Sequence, residues 1–262
     1  MKMDVRFGPA GFGMEAKKAL FKLKALGLNA VEIEFVYKVW MSNEEAKEIG
    51  DLAKKLDIML SVHAPYYINL ASKEKKKIEL SKKRILESCE KASYLKARYV
   101  VFHPAYYGRL SKEKCYEIVK EAVEEMQEKI RNEGWKVKLA LETTGRKSQF
   151  GTLDEILRLV KETKCSFCVD FAHIKARNNG TINYDEVFKK IRKFDHIHAH
   201  FSSIEYTEKG EKKHLPTKES ELLELLTFIK KYNVSLTLIN ESPIAWKDSL
   251  KARKMWEKIN ER

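Results

Sequence analysis

Short apolar segments and amphipathic helical segments alternate eight times along this chain, which leaves few folds open to it. Strand-like runs fall at residues 5–7, 30–35, 59–63, 99–103, 138–143, 167–171, 196–201 and 235–240. Between them apolar residues recur with the helical period, as in Ala16, Leu20, Leu23 and Leu26, and in Ile156, Leu157 and Val160. Ser42 with Glu45, and Thr152 with Glu155, have the spacing of a capping box. Ser111 and Thr217 are placed to cap the helices that follow them, and Gly27 and Gly134 suit helix C-termini. No Pro/Gly/Ser-rich linker, low-complexity segment or short repeat breaks the pattern. Eight βα units in 262 residues predict an α/β fold, a single (β/α)8 TIM barrel, with one domain spanning residues 1–262.

Such a barrel carries its active site at the C-terminal ends of the strands. Histidines and carboxylates gather there: His63 in MLSVHAP, His103 in YVVFHP, Glu142 in LALETT, Asp170 and His173 in CVDFAH, His200 in HIHAHFSS, His214 in KKHLP, and Glu241 in LTLINES. His196 and His198 lie earlier in their strand, and all seven histidines are expected outside the helices. Imidazoles and carboxylates crowded at one mouth would stay unsatisfied without cations, and this donor set suits Zn²⁺, Mn²⁺ or Fe²⁺. The longest loops, after the third, sixth and seventh strands, make a groove for an extended substrate.

Charge and cysteine content narrow the setting. Lys+Arg of 51 against Asp+Glu of 38 gives +13, which favours an anionic partner but also describes the surface of a heat-adapted protein. The N-terminal stretch has no apolar run of signal-peptide length and no segment approaches a membrane span, so a cytoplasmic protein without membrane contact is expected. A monomer is the expected state. Cys165 and Cys168 form a lone CxxC with no second pair for a zinc ribbon, so buried free thiols are expected.

The motifs SVHAPYYINLAS, FHP, ALETT, CVDFAH, HFSS with a downstream histidine, and NESP resemble the strand-end motifs of endonuclease IV, the (β/α)8 apurinic/apyrimidinic endonuclease of base excision repair. The resemblance runs in order from about His63 to Pro243. It implies that His63, His103 and Glu142 hold one zinc, that Glu142 bridges to a second held with Asp170, His200 and Glu241, and that His173 and His214 belong to a third. It further implies that a metal-bound hydroxide attacks phosphorus 5′ to an abasic site in double-stranded DNA, leaving a 3′-hydroxyl and a 5′-deoxyribose phosphate.

Three departures from the family bear on the third ion and the DNA grip. The family's third-metal aspartate is replaced by Lys212, with Glu211 one position earlier, so the third site uses Glu211, binds weakly or is absent. HFSS and ETTGRKSQFG also depart from the family's loops. Tyr66 and Tyr67 stand where the family inserts an aromatic beside the lesion, while Lys38, Trp40, Arg109, Arg146, Lys147, Lys175 and Arg177 flank the mouth as candidate DNA contacts.

A sugar isomerase or epimerase of the same superfamily is the competing expectation. It shares Glu142, Asp170, His200 and Glu241 as a site for one Mn²⁺, but has no use for His63, His103 and His214. A nonenzymatic nucleic-acid-binding protein has only the charge in its favour.

Overall fold

The computed structural model describes residues 3–261; residues 1, 2 and 262 of the expected domain lie outside the described residues. In chain order the elements are β1 (Val5–Pro9), α1 (Ala16–Ala25), β2 (Ala30–Glu34), α2 (Asn43–Lys55), β3 (Met59–His63), α3 (Lys75–Tyr94), β4 (Tyr99–Phe102) and β5 (Ala105–Tyr106). Then come α4 (Lys112–Asn132), β6 (Lys138–Glu142), β7 (Gln149–Phe150), α5 (Leu153–Thr163), β8 (Ser166–Asp170), α6 (Phe171–Arg177) and α7 (Tyr184–Ile191). The chain finishes with β9 (Ile197–Phe201), β10 (Ser203–Thr207), β11 (Gly210–Leu215), α8 (Glu219–Tyr232), β12 (Leu236–Asn240) and α9 (Ala245–Asn260).

Eight parallel strands pair in the order β1-β12-β9-β8-β6-β4-β3-β2. The two ends of that order meet where Gly11 N–H donates to the Glu32 carbonyl (2.8 Å) and Asn29 N–H to that of Phe7 (3.2 Å), completing the expected TIM barrel. Gly8 permits this closure, because a Cβ there would overlap the Ala30 carbonyl. The extra pairs β5-β7 and β10-β11 are antiparallel and sit in loops above the barrel. Among the described residues no helix is long and apolar enough to cross a membrane.

Three expected N-caps are in place, the Ser42–Glu45 box only by its serine half. Ser42 accepts from Glu45 N–H (3.1 Å), Ser111 from Lys114 N–H (3.2 Å), and Thr152 forms a full capping box with Glu155. Each such cap contributes about 1 kcal/mol. Thr217 does not cap: Lys218 precedes α8, and the Thr217 hydroxyl accepts instead from Asn240 Nδ2 (2.8 Å), tying the loop to the end of β12. His173 also departs from expectation, since it lies inside α6. The DxxH spacing is itself a cap, with Asp170 Oδ1 accepting from His173 N–H (2.7 Å), so the strand ends at Asp170 and a helix starts at once.

Alternation along the strands decides what faces the barrel axis. Val31, Ile33, Leu60, Val62, Val100, Phe102, Leu139, Leu141, Phe167 and Val169 join the apolar core packed under the helices. Residues between them turn to the opposite face, so each strand delivers its inward residues every second position. The resulting interior is unusually polar for a barrel, with Glu32, Ser61, His63, Glu142, Asp170, His198, His200 and Thr237 all buried. All four cysteines are free and buried.

Candidate metal centre

The last inward position of each strand from β3 round to β12 carries a potential metal ligand. His63 ends β3, His103 follows β4, Glu142 ends β6, Asp170 ends β8, His200 lies on β9 and Glu241 follows β12. Their donor atoms form overlapping groups, each within 4.8 Å: His63, His103 and Glu142; Glu142, Asp170, His200 and Glu241; and Asp170, His173, His214 and Glu241. Glu142 joins the first two, while Asp170 and Glu241 join the last two. The central carboxylate is completely buried, with Oε2 at 3.2 Å from His63 Nε2 and 3.0 Å from His103 Nε2.

The ring nitrogens are set by neighbours outside these groups. His63 Nδ1–H donates to the Ala64 carbonyl (2.8 Å), leaving Nε2 facing Glu142, and His173 Nδ1–H donates to the Thr143 carbonyl (3.0 Å) close to Glu142 Oε1 (3.0 Å), leaving Nε2 on the side of Glu211. The Ser202 hydroxyl donates to the Ser203 carbonyl (2.8 Å), so it accepts from His214 Nδ1–H (2.7 Å). Thr143 Oγ1 accepts from Asp170 N–H (2.8 Å) and holds the end of β8 in place.

Charge in this cluster is unbalanced without a cation. Burial works against a charged His63, yet its bond to Glu142 and the nearby Glu34 carry it up to about 10. Against burial, His173 is driven well upward by Asp170, Glu142 and Glu211, and His200 by Cys168 and then Glu241, Glu32 and Glu142. Glu142 is held well below the usual range because His103 and His200 overcome its burial, and Glu241 falls to about 2 for the same kind of reason. Burial pushes Asp170 up to about 6. Protons on the imidazoles thus stand where the carboxylates demand positive charge, and divalent ions would replace them. Glu142 Oε1, Asp170 Oδ2, His173 Nε2 and His200 Nδ1 are buried without hydrogen-bond partners, so the donor set fits a bound metal.

The loop carrying His214 is the β10-β11 hairpin. Its register slips opposite Glu205 and Tyr206, which pair with Lys213 and Glu211, so Lys212 is the extra residue of a bulge. A bulge reverses the alternation that follows it. Glu211 and His214, three apart, therefore both turn toward His173, with Glu211 Oε2 at 3.6 Å from His173 Nε2. Lys212 turns outward and pairs with Glu205.

Above these groups opens a cleft of about 760 Å³, lined by Tyr37, Tyr66, Tyr67, Tyr106, Arg146 and by His63, His103, His173, His214 and Glu241. Tyr66 and Tyr67 are exposed, Tyr67 stacks on the exposed Tyr37, and Tyr66 lies over His63. Lys38, Trp40, Arg109, Arg146 and Lys147 are exposed as well. Two of the expected DNA contacts are otherwise engaged. Lys175 pairs with Glu221 (3.2 Å), and Arg177 donates to the carbonyls of Arg146 (2.6 Å) and Gln149 (3.0 Å), clamping the loop after β6.

Sequence reasoning missed Glu32 and Glu34. Both project inward from β2, Glu34 into the cleft wall beside Glu241 and Glu32 one layer below. The alternating carboxylates of AVEIE, in a strand otherwise apolar, were the available signal.

Comparison with known proteins places this architecture. The uncharacterized protein MJ0133 of Methanocaldococcus jannaschii is 36% identical, over 97% of this chain and 97% of its own. The probable endonuclease 4 of Mycoplasma mobile is 30% identical over 43% of this chain and 40% of its own. Among solved structures, a D-tagatose 3-epimerase-like protein superposes with a TM-score of 0.74 at 22% identity, covering 98% of this chain and 97% of the other. Endonuclease IV from Thermus thermophilus superposes with a TM-score of 0.67 at 19% identity, covering 98% and 99%. At these identities the two structures speak for the fold alone. A family model described as xylose isomerase-like TIM barrel matches residues 20–203, most of the chain, and the protein belongs to the xylose isomerase-like TIM barrel family.

Proposed function

We propose that this protein is a metal-dependent phosphodiesterase of the endonuclease IV type, cutting duplex DNA 5′ to an abasic site with zinc as its ion. The observation that carries this reading is the set of three ligand groups joined through Glu142, Asp170 and Glu241. His63, His103 and Glu142 would hold one ion, Glu142, Asp170, His200 and Glu241 a second, and Asp170, His173, His214 and Glu241 a third. A one-metal ketose epimerase needs only the middle group and leaves His63, His103 and His214 without work. When bound, such ions lower the pKa of water and offset charge on phosphate oxygens.

The chain's own residues prepare the site for that chemistry. Shared carboxylates would keep such ions close together, and the backbone carbonyls of Ala64 and Thr143 keep the hydrogen of His63 and His173 on Nδ1, so that Nε2 is the nitrogen each would offer. Arg146 brings positive charge to the cleft, and the exposed Tyr37, Tyr66 and Tyr67 offer ring faces on which unstacked bases can rest.

The deciding experiment incubates zinc-loaded protein with a 5′-labelled duplex carrying a tetrahydrofuran abasic analogue, and in parallel Mn²⁺-loaded protein with D-fructose and D-tagatose. Cleavage 5′ to the analogue with a 3′-hydroxyl product is expected. Ketose conversion with an intact duplex would transfer the assignment to the epimerase reading.

A further inference from the structure

Beneath the ring of ligands, in the second layer of the barrel, Glu32 is completely buried together with His198 and His200 of β9. His198 Nε2–H donates to Glu32 Oε2 at 2.8 Å. Oε1 of the same carboxylate lies 2.8 Å from His200 Nε2, a contact too bent to count as a full hydrogen bond. On its other side His200 Nδ1 faces Glu241 Oε1 at 3.2 Å and Glu142 Oε1 at 3.4 Å, the oxygens of the central ligand group.

We propose that Glu32 is a positioning residue of the metal centre, keeping the proton of His200 on Nε2 so that Nδ1 is the atom offered to the ion. Glu32 Oε1 is the carboxylate oxygen nearest to either ring nitrogen of His200, 2.8 Å from Nε2 against 3.2 and 3.4 Å for those facing Nδ1, so its charge favours the hydrogen on Nε2 even along a bent approach. A neutral imidazole has one N–H, which leaves the lone pair on Nδ1. His200 is thereby opposite in sense to His63, His173 and His214, whose Nδ1–H groups are committed to Ala64, Thr143 and Ser202. The reason is depth: those three are held by carbonyls and a hydroxyl near the barrel mouth, whereas His200 is held from below by a carboxylate on the far side of the barrel.

His198 completes the arrangement without touching the ions' position. It occupies the second oxygen of Glu32, and its own Nδ1 is buried without a partner. That unpartnered nitrogen lets His198 reverse its tautomer if its neighbour changes. Glu32→Gln should therefore be accommodated: the amide oxygen turns to His200, and the amide NH₂ donates to a deprotonated Nε2 of His198. Glu32→Leu offers no acceptor to either ring.

The inference rests on the metal centre and stands under either reaction, because His200 belongs to the group that both require. The test uses full-length protein labelled with ¹⁵N-histidine and loaded with Zn²⁺, read by long-range ¹H–¹⁵N correlation of the rings together with zinc content. His200 is expected to be protonated at Nε2 with zinc on Nδ1, while His63, His173 and His214 show the reverse. Glu32→Gln should keep the His200 pattern and move the His198 proton to Nδ1, and Glu32→Leu should weaken zinc retention by roughly 10–100-fold. Zinc on Nε2 of His200 in the unaltered protein overturns the proposal, as does an unchanged His198 in Glu32→Gln. A protein that takes up no zinc removes the metal centre itself, a failure distinct from zinc bound through the wrong ring nitrogen.

Discussion

Gly145 and Glu211 compete for the same space. A Cβ on residue 145 would lie 2.6 Å from Glu211 Cβ and 2.9 Å from its Oε2, so the hairpin reaches His173 only because residue 145 has no side chain. The approach is fixed by Glu211 N–H donating to the Gly145 carbonyl (3.1 Å). Gly145→Ala should push the hairpin, and His214 with it, away from His173. Chelator titration should then release one metal equivalent at about tenfold lower chelator concentration, the other two being retained. Simultaneous release at the unaltered concentration would uncouple the hairpin from the third group.

Glu142→Gln should abolish turnover while circular dichroism and the melting profile stay native. An amide cannot neutralise two cations or be shared between them as a carboxylate is. Zinc content and cleavage of the abasic duplex measure this, and an unaltered rate would take Glu142 out of the centre.

Replacing His63 and His103 together with alanine should remove one equivalent of metal and nearly all phosphodiester cleavage. The group of Glu142, Asp170, His200 and Glu241 survives in that variant. Persisting conversion of a ketose by the Mn²⁺-loaded variant would turn the assignment toward an epimerase.

Lys212 and Glu211 should respond oppositely to substitution. Lys212 is the bulged residue and points away to Glu205, so Lys212→Asp is expected to leave metal content and rate unchanged. Glu211→Gln removes a carboxylate facing His173 and should speed loss of one ion by roughly tenfold. Metal exchange followed by a colorimetric chelator separates the two; tighter retention in Lys212→Asp would mean that the bulge places the wrong residue outward.

Glu34 makes the metal-free protein sensitive to alkali. Burial raises its carboxyl to about 8, against about 4.3 in an unfolded chain. Between those values the folded state holds a proton that the unfolded chain has released. Stability therefore falls as pH rises through this window, and the loss is complete above about pH 8. Glu34→Gln should raise the Tm of chelator-treated protein at pH 8.5, by roughly 2–4 °C per kcal/mol relieved, and leave it level at about pH 4. Equal gains at both pH values would point to packing as the cause.

The barrel is legible in the sequence because eight repeats of one pattern are redundant, and an error at any strand end costs a residue or two. The expected strand 59–63 matches the observed one to the residue, and the others end within two residues of the observed bounds. His173 escapes local periodicity because DxxH serves two ends at once, closing a strand and capping a helix over very few residues. Thr217 looks like a cap, but its hydroxyl is taken by Asn240, a partner fixed only by tertiary structure. The exposed cations cannot be ranked from sequence either: Arg177 looks like a rim residue until its carbonyl partners are known. Glu32 and Glu34 go unnoticed since a glutamate in a strand is ordinarily a solvent-facing residue, and only a closed barrel makes the even face an interior.

The ligand ring draws on β3 at one extreme and the residue after β12 at the other, and β12 pairs directly with β1. During synthesis, then, the emerging chain has no complete centre until its final quarter has been made. A fragment stopped before Glu241 keeps His63, His103 and Glu142 but lacks a member of both remaining groups. Uptake by those two groups would accordingly wait until β12 has taken its place between β9 and β1, while the first group stands ready from Glu142 onward.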